Sequence, residues 1–127
     1  MGTKHARHNE RLCDHLNTLN DFYDWVVTTA FYTALHYVEG RIFPMPGNPS
    51  YPDFDTYWDA QKEFLQCSKH KAMSRLVRNK LPLAAKAYNA LMDSCNNARY
   101  KNYEVEPDEA KIARERMAFV KAECLKS

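Results

Sequence analysis

The chain has 127 residues, of which 45% are hydrophobic, 13% aromatic and 27% charged, and its formal net charge is +2. This composition excludes a disordered or low-complexity chain, and the length is sufficient for one core without a metal or disulfide framework. Three glycines against six prolines argue against a turn-rich β-sandwich. We therefore expect a single domain over residues 1–127.

Capping residues and apolar spacing predict two helices at the N-terminal end. Thr3 is the candidate N-cap of a first helix that runs to about Leu19. Asn20 or Asp21 is the candidate N-cap of a second helix, which ends near residues 40–43.

The second predicted helix is apolar around most of its circumference. It carries no formal charge from Trp25 to Val38, a run shorter than the about 20 residues that span a membrane. At about 100° per residue, Thr29, Thr33 and His36 fall on one narrow polar line. We therefore expect a central helix that other helices contact on several sides, and no membrane association.

A loop and two shorter helices are predicted next. Four prolines between residues 44 and 52 remove backbone donors and predict the main loop of the domain. Asp53 or Asp55 is the candidate start of a short helix, and Ser68 is the candidate N-cap of a helix over residues 69–80.

Two further helices complete the predicted fold. Pro82 suits the first turn of a helix that runs to about Arg99, residues 102–106 interrupt it, and a last helix runs from about Pro107 to near Lys126. The side chains of the last helix that are available for packing are Ile112, Met117, Phe119, Val120 and Leu125. The expected fold class is all-α, an up-and-down bundle of four to five helices with one proline-rich loop.

Positive charge is concentrated between residues 69 and 101. This segment has eight basic residues and one acid, whereas the rest of the chain has a net charge of −5. Such a concentration attracts phosphate, RNA or an acidic protein, although a solvated helix face shows the same pattern. The candidate anion-binding residues are His70, Lys71, Arg75, Arg78, Arg99 and Lys101.

Two interpretations are open for the candidate side chains near apolar helix faces. Arg75 and Arg99 are typical of anion contacts, or of structural bonds to a carboxylate or to helix carbonyls. His36 is typical of a hydrogen-bonded core histidine, or of a general acid or base in a cleft. We expect no catalytic residue; the alternative candidates are His36, His70, Arg75 and Arg99.

No metal or cofactor site is predicted. His5 and His8 are one helical turn apart, but His15 lies too far along the helix to share one ion with them. The sequence has no glycine-rich phosphate loop and no Cys-x-x-Cys pair, so we expect reduced thiols. Because the first residues include no apolar signal segment, we expect a cytoplasmic protein.

Three sequence blocks together resemble a known family. They are Trp25-x5-Phe31-Tyr32-x-Ala34-Leu35-His36-Tyr37-x-Glu39, then His70-x4-Arg75, then Tyr88-x2-Leu91-x2-Ser94-x3-Ala98-Arg99-Tyr100. In this order they are similar to a HEPN-type domain of bacteria, archaea or their phages. The resemblance implies a bundle of four or five helices, homodimerisation, and roles in RNA cleavage, toxin–antitoxin systems, phage defence, or nucleotide and nucleic-acid binding.

The catalytic motif of that family, an arginine and a histidine separated by four to six residues, is missing from the sequence. No histidine occupies the required window after Arg75, Arg78 or Arg99, and Arg11 and His15 are one residue too close. We therefore expect a non-catalytic HEPN-like binding or assembly module for RNA, a nucleotide or an acidic partner, in a toxin–antitoxin or phage-defence context. The alternatives are a divergent metal-independent ribonuclease and a purely structural interaction domain.

Overall fold

In the computed structural model, which describes residues 2–126, the chain folds into six α-helices and one 3₁₀ turn. They are α1 (Gly2–Thr18), α2 (Tyr23–Ile42), α3 (Phe54–Leu65), α4 (Lys69–Lys80), the 3₁₀ turn (Pro82–Ala84), α5 (Ala85–Tyr100) and α6 (Pro107–Cys124). The predicted all-α bundle is confirmed, and the short helices α3 and α4 bring the helix count to six. The ends of the predicted domain, Met1 and Ser127, lie outside the described residues.

The helix α2 lies at the centre of the bundle, as predicted. It packs against α1, α4, α5 and α6, whereas α3 packs against α4. The first turn of α2 lies beside the end of α5, where Trp25 meets Arg99, and its middle lies beside the beginning of α5, where Phe31 meets Tyr88. The first turns of α1 lie beside the second half of α2, so α1 and α5 both run antiparallel to α2. Among residues 2–126, no helix has the length and hydrophobicity needed to cross a bilayer.

Three buried threonines of α2 satisfy their hydroxyl groups within the helix. The hydroxyls of Thr28, Thr29 and Thr33 donate to the backbone carbonyl four residues earlier, at 2.8, 2.7 and 2.7 Å. Such bonds remove the cost of burying an unpaired hydroxyl. The hydroxyls on the buried part of the predicted polar line therefore need no partner from another helix, and α2 packs as an apolar helix would.

The predicted start of α3 at Asp53 and the predicted N-cap Ser68 of α4 are confirmed. The Asp53 carboxylate accepts a hydrogen bond from the backbone N–H of Thr56 at 2.8 Å, at the start of α3. The Ser68 hydroxyl accepts one from the backbone N–H of Lys71 at 3.1 Å, at the start of α4. Both caps satisfy a donor that has no partner inside its own helix.

The beginnings of α1 and α2 differ from the prediction. The helix α1 already includes Gly2, so Thr3 lies inside it rather than at its cap. The N-cap of α2 is Phe22 in the left-handed conformation, with φ of 55°, and neither Asn20 nor Asp21 caps the helix. The Asp21 carboxylate instead accepts a hydrogen bond from the Phe22 N–H at 2.7 Å, which stabilises the turn before the helix.

The proline-rich segment between α2 and α3 is an anchored loop. Met45 and Tyr51 form an antiparallel bridge, the only β-pairing among residues 2–126, with N–H to carbonyl distances of 2.7 and 2.9 Å. The side chains of Phe43, Tyr51 and Phe54 are buried on the core. The loop therefore covers one end of the bundle.

The buried face of α6 differs in part from the prediction. Met117 and Val120 are buried, but Ile112, Phe119 and Leu125 are 45%, 49% and 56% exposed. The helix packs instead through buried residues spaced three or four apart, several of which have small side chains. They are Ala110, Ala113, Met117, Val120 and Cys124. Small side chains allow two helices to approach closely, and the larger apolar groups then point outward.

The hydroxyl of Tyr88 is buried, and within the described residues it has no hydrogen-bond partner. An unsatisfied buried hydroxyl costs about 1–3 kcal/mol, so we expect Tyr88→Phe to raise the free energy of unfolding by about 1 kcal/mol. Urea unfolding followed by circular dichroism measures this change. The control is Tyr37→Phe, which removes a hydroxyl that donates to Glu10 at 2.9 Å and should lower the stability by a similar amount. A Tyr88→Phe protein less stable than wild type would contradict the prediction.

Candidate nucleic-acid interface

An exposed arginine near the end of α5 lies within cation–π distance of two exposed aromatic rings. The Arg99 Cζ atom is 6.0 Å from the ring centroid of Trp25 and 5.6 Å from that of Tyr100, within the range of a cation–π interaction. Trp25 is 48% and Tyr100 76% exposed. Lys101 follows at the C-cap of α5 and is also exposed. We call Trp25, Arg99, Tyr100 and Lys101 the aromatic–cation cluster.

The cluster results from the way α5 ends against α2. Cys95 and Ala98 are buried, so the residues after Ala98 turn outward at the end of the helix. Behind the cluster, burial raises the pKa of the Tyr32 phenol, and the neighbouring Arg99 guanidinium opposes this rise. The Tyr32 hydroxyl therefore stays protonated at neutral pH and is available as a hydrogen-bond donor.

The predicted cations of α4 are used in different ways. Lys71 and Arg78 are exposed and seven residues apart, which places them on the same side of the helix. Arg75 is half-buried, and its Nη1 donates to the backbone carbonyl of Leu65 at 3.2 Å, at the end of α3. This bond to a helix carbonyl agrees with the structural interpretation of Arg75, and an anion contact by the same side chain stays a prediction.

The His70 ring contacts the core from an exposed position at the start of α4. It meets the ring of Phe31 edge-on, with centroids 5.7 Å apart and an interplanar angle of 62°. Burial lowers the pKa of His70, and the charge of Lys69 lowers it further. We infer that His70 is neutral at pH 7 and contributes no positive charge to an anion site.

The predicted anion-binding residues therefore form two groups. The helix α4 is joined to the first half of α5, where the Ser74 hydroxyl donates to the side-chain carbonyl of Asn89 at 2.5 Å. Arg99 lies ten residues further along α5, a distance of about 15 Å at 1.5 Å per residue. One group holds His70, Lys71, Arg75 and Arg78, and the other holds Arg99 and Lys101.

His36 lies in acidic surroundings at the opposite end of α2. Its ring stacks on the ring of His5, with centroids 3.7 Å apart, and its Nδ1 is 4.0 Å from a carboxylate oxygen of Glu39. Burial lowers the pKa of His36, and His5 lowers it further. Burial also raises the pKa of Glu39, and the nearby carboxylates of Asp55 and Asp53 raise it further. A phosphodiester would meet carboxylates here, which disfavours RNA at His36.

The four alternative catalytic residues do not meet in one cleft. Arg99 lies beside Trp25, and His36 is eleven residues further along α2, about 16 Å away along the helix. His70 lies against the middle of α2, and the guanidinium of Arg75 is bound at the end of α3. Cleavage of RNA requires a proton acceptor and a cation at the same phosphate. Within one chain, His36 and Arg99 are therefore too far apart to act on the same phosphate.

Metal-ligating side chains and thiols are the remaining groups with chemistry of their own. Within the described part of the chain, no three His, Cys, Asp or Glu side chains lie close enough together to hold a metal ion. The four cysteines are free thiols, and burial raises the pKa of Cys13, Cys95 and Cys124. Such thiols are protonated and unreactive at neutral pH.

Comparisons of the chain with protein-family models, with curated proteins and with solved structures give no match. Arg99 and Lys101 were identified from the sequence, but the role of Trp25 and Tyr100 beside them was not. The one available signal was the pairing of an aromatic residue at the start of α2 with an arginine at the end of α5. That pairing becomes visible only when the two helices are known to be antiparallel neighbours.

The lowered pKa of His36 predicts a pH-dependent stability. Because the pKa is lower in the folded state, the unfolded state binds more protons, so the free energy of unfolding falls as the pH drops below about 6.5. When the pH is lowered from about 7.5 to about 5.5, we expect the free energy of unfolding to fall less for the His36→Gln protein than for wild type. Urea unfolding at each pH measures this change.

The control for this measurement is His8→Gln, which replaces an exposed histidine on the same helix as His5. Glu39, with its raised pKa, acts in the opposite direction, and comparison of each variant with wild type cancels its contribution. An equal loss of stability in the His36→Gln and His8→Gln proteins would exclude His36 as the source of the pH dependence.

Proposed function

We propose that the chain is a non-catalytic, HEPN-like binding module for single-stranded RNA, and that the aromatic–cation cluster is its contact surface. The proximity of Arg99 to the exposed rings of Trp25 and Tyr100 carries this proposal. Proteins that bind single strands combine aromatic rings, on which bases stack, with cations that bind the backbone. The cluster offers both within a few ångströms. As the resemblance implies, the module acts as a homodimer in a toxin–antitoxin or phage-defence system.

A strand of RNA suits this surface better than a single nucleotide or an acidic protein. Small ligands are bound in pockets that enclose most of their surface. Tyr100 is 76% exposed, so the cluster is an open surface. Carboxylates of a protein partner would pair with Arg99 and Lys101 but would leave the rings of Trp25 and Tyr100 without stacking partners. Bases and phosphates together satisfy all four residues.

The arrangement of the remaining candidates supports binding rather than cleavage. His36 lies beside Glu39, and the carboxylates in this region repel phosphate. Burial and the neighbouring His5 lower the pKa of His36. Arg75 is engaged with the carbonyl of Leu65. Lys71 and Arg78 remain exposed on α4 and add a general attraction for a polyanion.

We expect Trp25→Ala to weaken the binding of a 15-nucleotide uridine RNA by about tenfold, because base stacking on an aromatic ring contributes about 1–3 kcal/mol. Fluorescence anisotropy measures the dissociation constant, and circular dichroism verifies folding. Tyr100→Ala, at a more exposed position, should give a similar loss without any effect on packing.

The matched control is Phe64→Ala, which removes an aromatic ring that is 79% exposed on α3, outside the cluster. Its affinity for the same RNA should equal that of wild type. Unchanged affinity in both the Trp25→Ala and Tyr100→Ala proteins would refute the proposed contact surface. Absence of binding at low salt would favour a purely structural interaction domain.

The non-catalytic part of the proposal has a separate test. Purified protein incubated with total tRNA and EDTA should leave the RNA intact, as judged by gel electrophoresis. RNA cleavage that disappears in a folded His36→Ala or His70→Ala protein would instead favour the alternative, a divergent metal-independent ribonuclease.

A further inference from the structure

A second basic surface lies on α1, a helix that contributes no residue to the aromatic–cation cluster. At 100° per residue, five exposed residues fall within an arc of about 100° on the outward side of α1. They are Lys4, Arg7, His8, Arg11 and His15. The opposite side of the helix, with Ala6 and Cys13 fully buried, packs against α2. We call the five residues the α1 stripe.

The acids of α1 do not neutralise this stripe, because helix α6 pairs with them. Glu10 accepts a hydrogen bond from Lys121 at 3.0 Å, and Asp14 accepts one from Arg114 at 2.7 Å. Within the part of the chain that the structure describes, Lys4, Arg7 and Arg11 make no ion pair. Three full positive charges therefore remain available on one side of the helix.

The stripe borders a groove that has room for a ligand. A groove of about 600 Å³ lies where α1 meets α2 and α6. It is lined by Lys4, Arg7, Arg11 and Lys121, by the paired acids Glu10 and Asp14, and by Tyr37 and Leu125. From Lys4 to Arg11 the helix rises about 10 Å, or about 5 Å for each turn. Charges repeated at this interval suit a ligand that carries several negative charges in a row.

We infer that the α1 stripe binds the phosphate backbone of RNA. A folded protein partner is disfavoured, because protein interfaces have an apolar core from which charges are depleted, and the stripe contains only cationic and histidine side chains. A membrane surface is disfavoured, because an interfacial helix inserts its apolar face, and that face of α1 is buried against α2. A backbone with regularly spaced phosphates needs neither an apolar core nor a free apolar face.

This inference rests on the proposed function, RNA binding, and adds a second surface whose contact is independent of base identity. The two surfaces are compatible. The stripe ends at His15, one turn before the end of α1, and Trp25 lies in the first turn of α2, so both reach the same end of the bundle. The three full charges, Lys4, Arg7 and Arg11, lie further from that end, along the first three turns of α1.

The salt dependence of RNA binding tests the inference. For single strands, the slope of log K against log salt changes by about 0.7 for each phosphate contact. The triple variant Lys4→Gln/Arg7→Gln/Arg11→Gln should therefore reduce the slope by about 2 for a 15-nucleotide uridine RNA. The double variant Arg7→Glu/Arg11→Glu should weaken binding further at every salt concentration. Circular dichroism verifies that both proteins are folded.

The control is the triple variant Lys62→Gln/Lys80→Gln/Lys86→Gln, which changes the net charge equally at exposed positions on other helices. Its slope should equal that of wild type. An unchanged slope in the stripe variant would overturn the inference, and so would an equal reduction in the control. The proposed function fails by a different result, the unchanged affinity of the Trp25→Ala and Tyr100→Ala proteins, so the two failures are distinguishable.

Discussion

Burial of α2 on nearly all sides is the constraint on which the rest of the structure depends. Four other helices pack against it, which is possible because Thr28, Thr29 and Thr33 donate their hydroxyl protons to carbonyls of the same helix. A charge in this segment would need a buried partner, and the loss of hydration would cost several kcal/mol. The neutral run allows α1, α5 and α6 to surround α2 at close range.

Because α1 and α5 run antiparallel to α2, the two ends of α2 lie beside different kinds of side chain. One end gathers His5, His36 and Glu39, with carboxylates of the following loop and of α3 nearby. The other end gathers Trp25 and Arg99. The length of α2 separates a histidine in acidic surroundings from an arginine on an aromatic surface, and this separation is the physical reason for proposing binding without cleavage.

The sequence was sufficient to predict the helices but not all of their contacts. Periodicity and side-chain caps are local signals, so the central position of α2 and the caps Asp53 and Ser68 were predictable. The left-handed Phe22 was not, because its capping role leaves no side-chain signature. Ile112 was expected to be available for packing, whereas close packing of α6 buries smaller neighbours such as Ala110 and Ala113. The meeting of Trp25 with Arg99 depends on tertiary structure between distant residues.

The basic surface was also only partly predictable from the sequence, because attraction for a polyanion depends on which cations remain unpaired in the folded protein. The segment from 69 to 101 is the most basic by count, yet Lys69 pairs with Asp55, Arg75 is bound to a carbonyl, and His70 is packed on Phe31. The helix α1 has mixed charge in sequence, but α6 neutralises its acids, so its outward face is basic. A field that attracts a polyanion arises from unpaired charges on a common face. The outward face of α1 is therefore a basic surface comparable to the predicted basic segment, although Glu10 and Asp14 lie among its cations in the sequence.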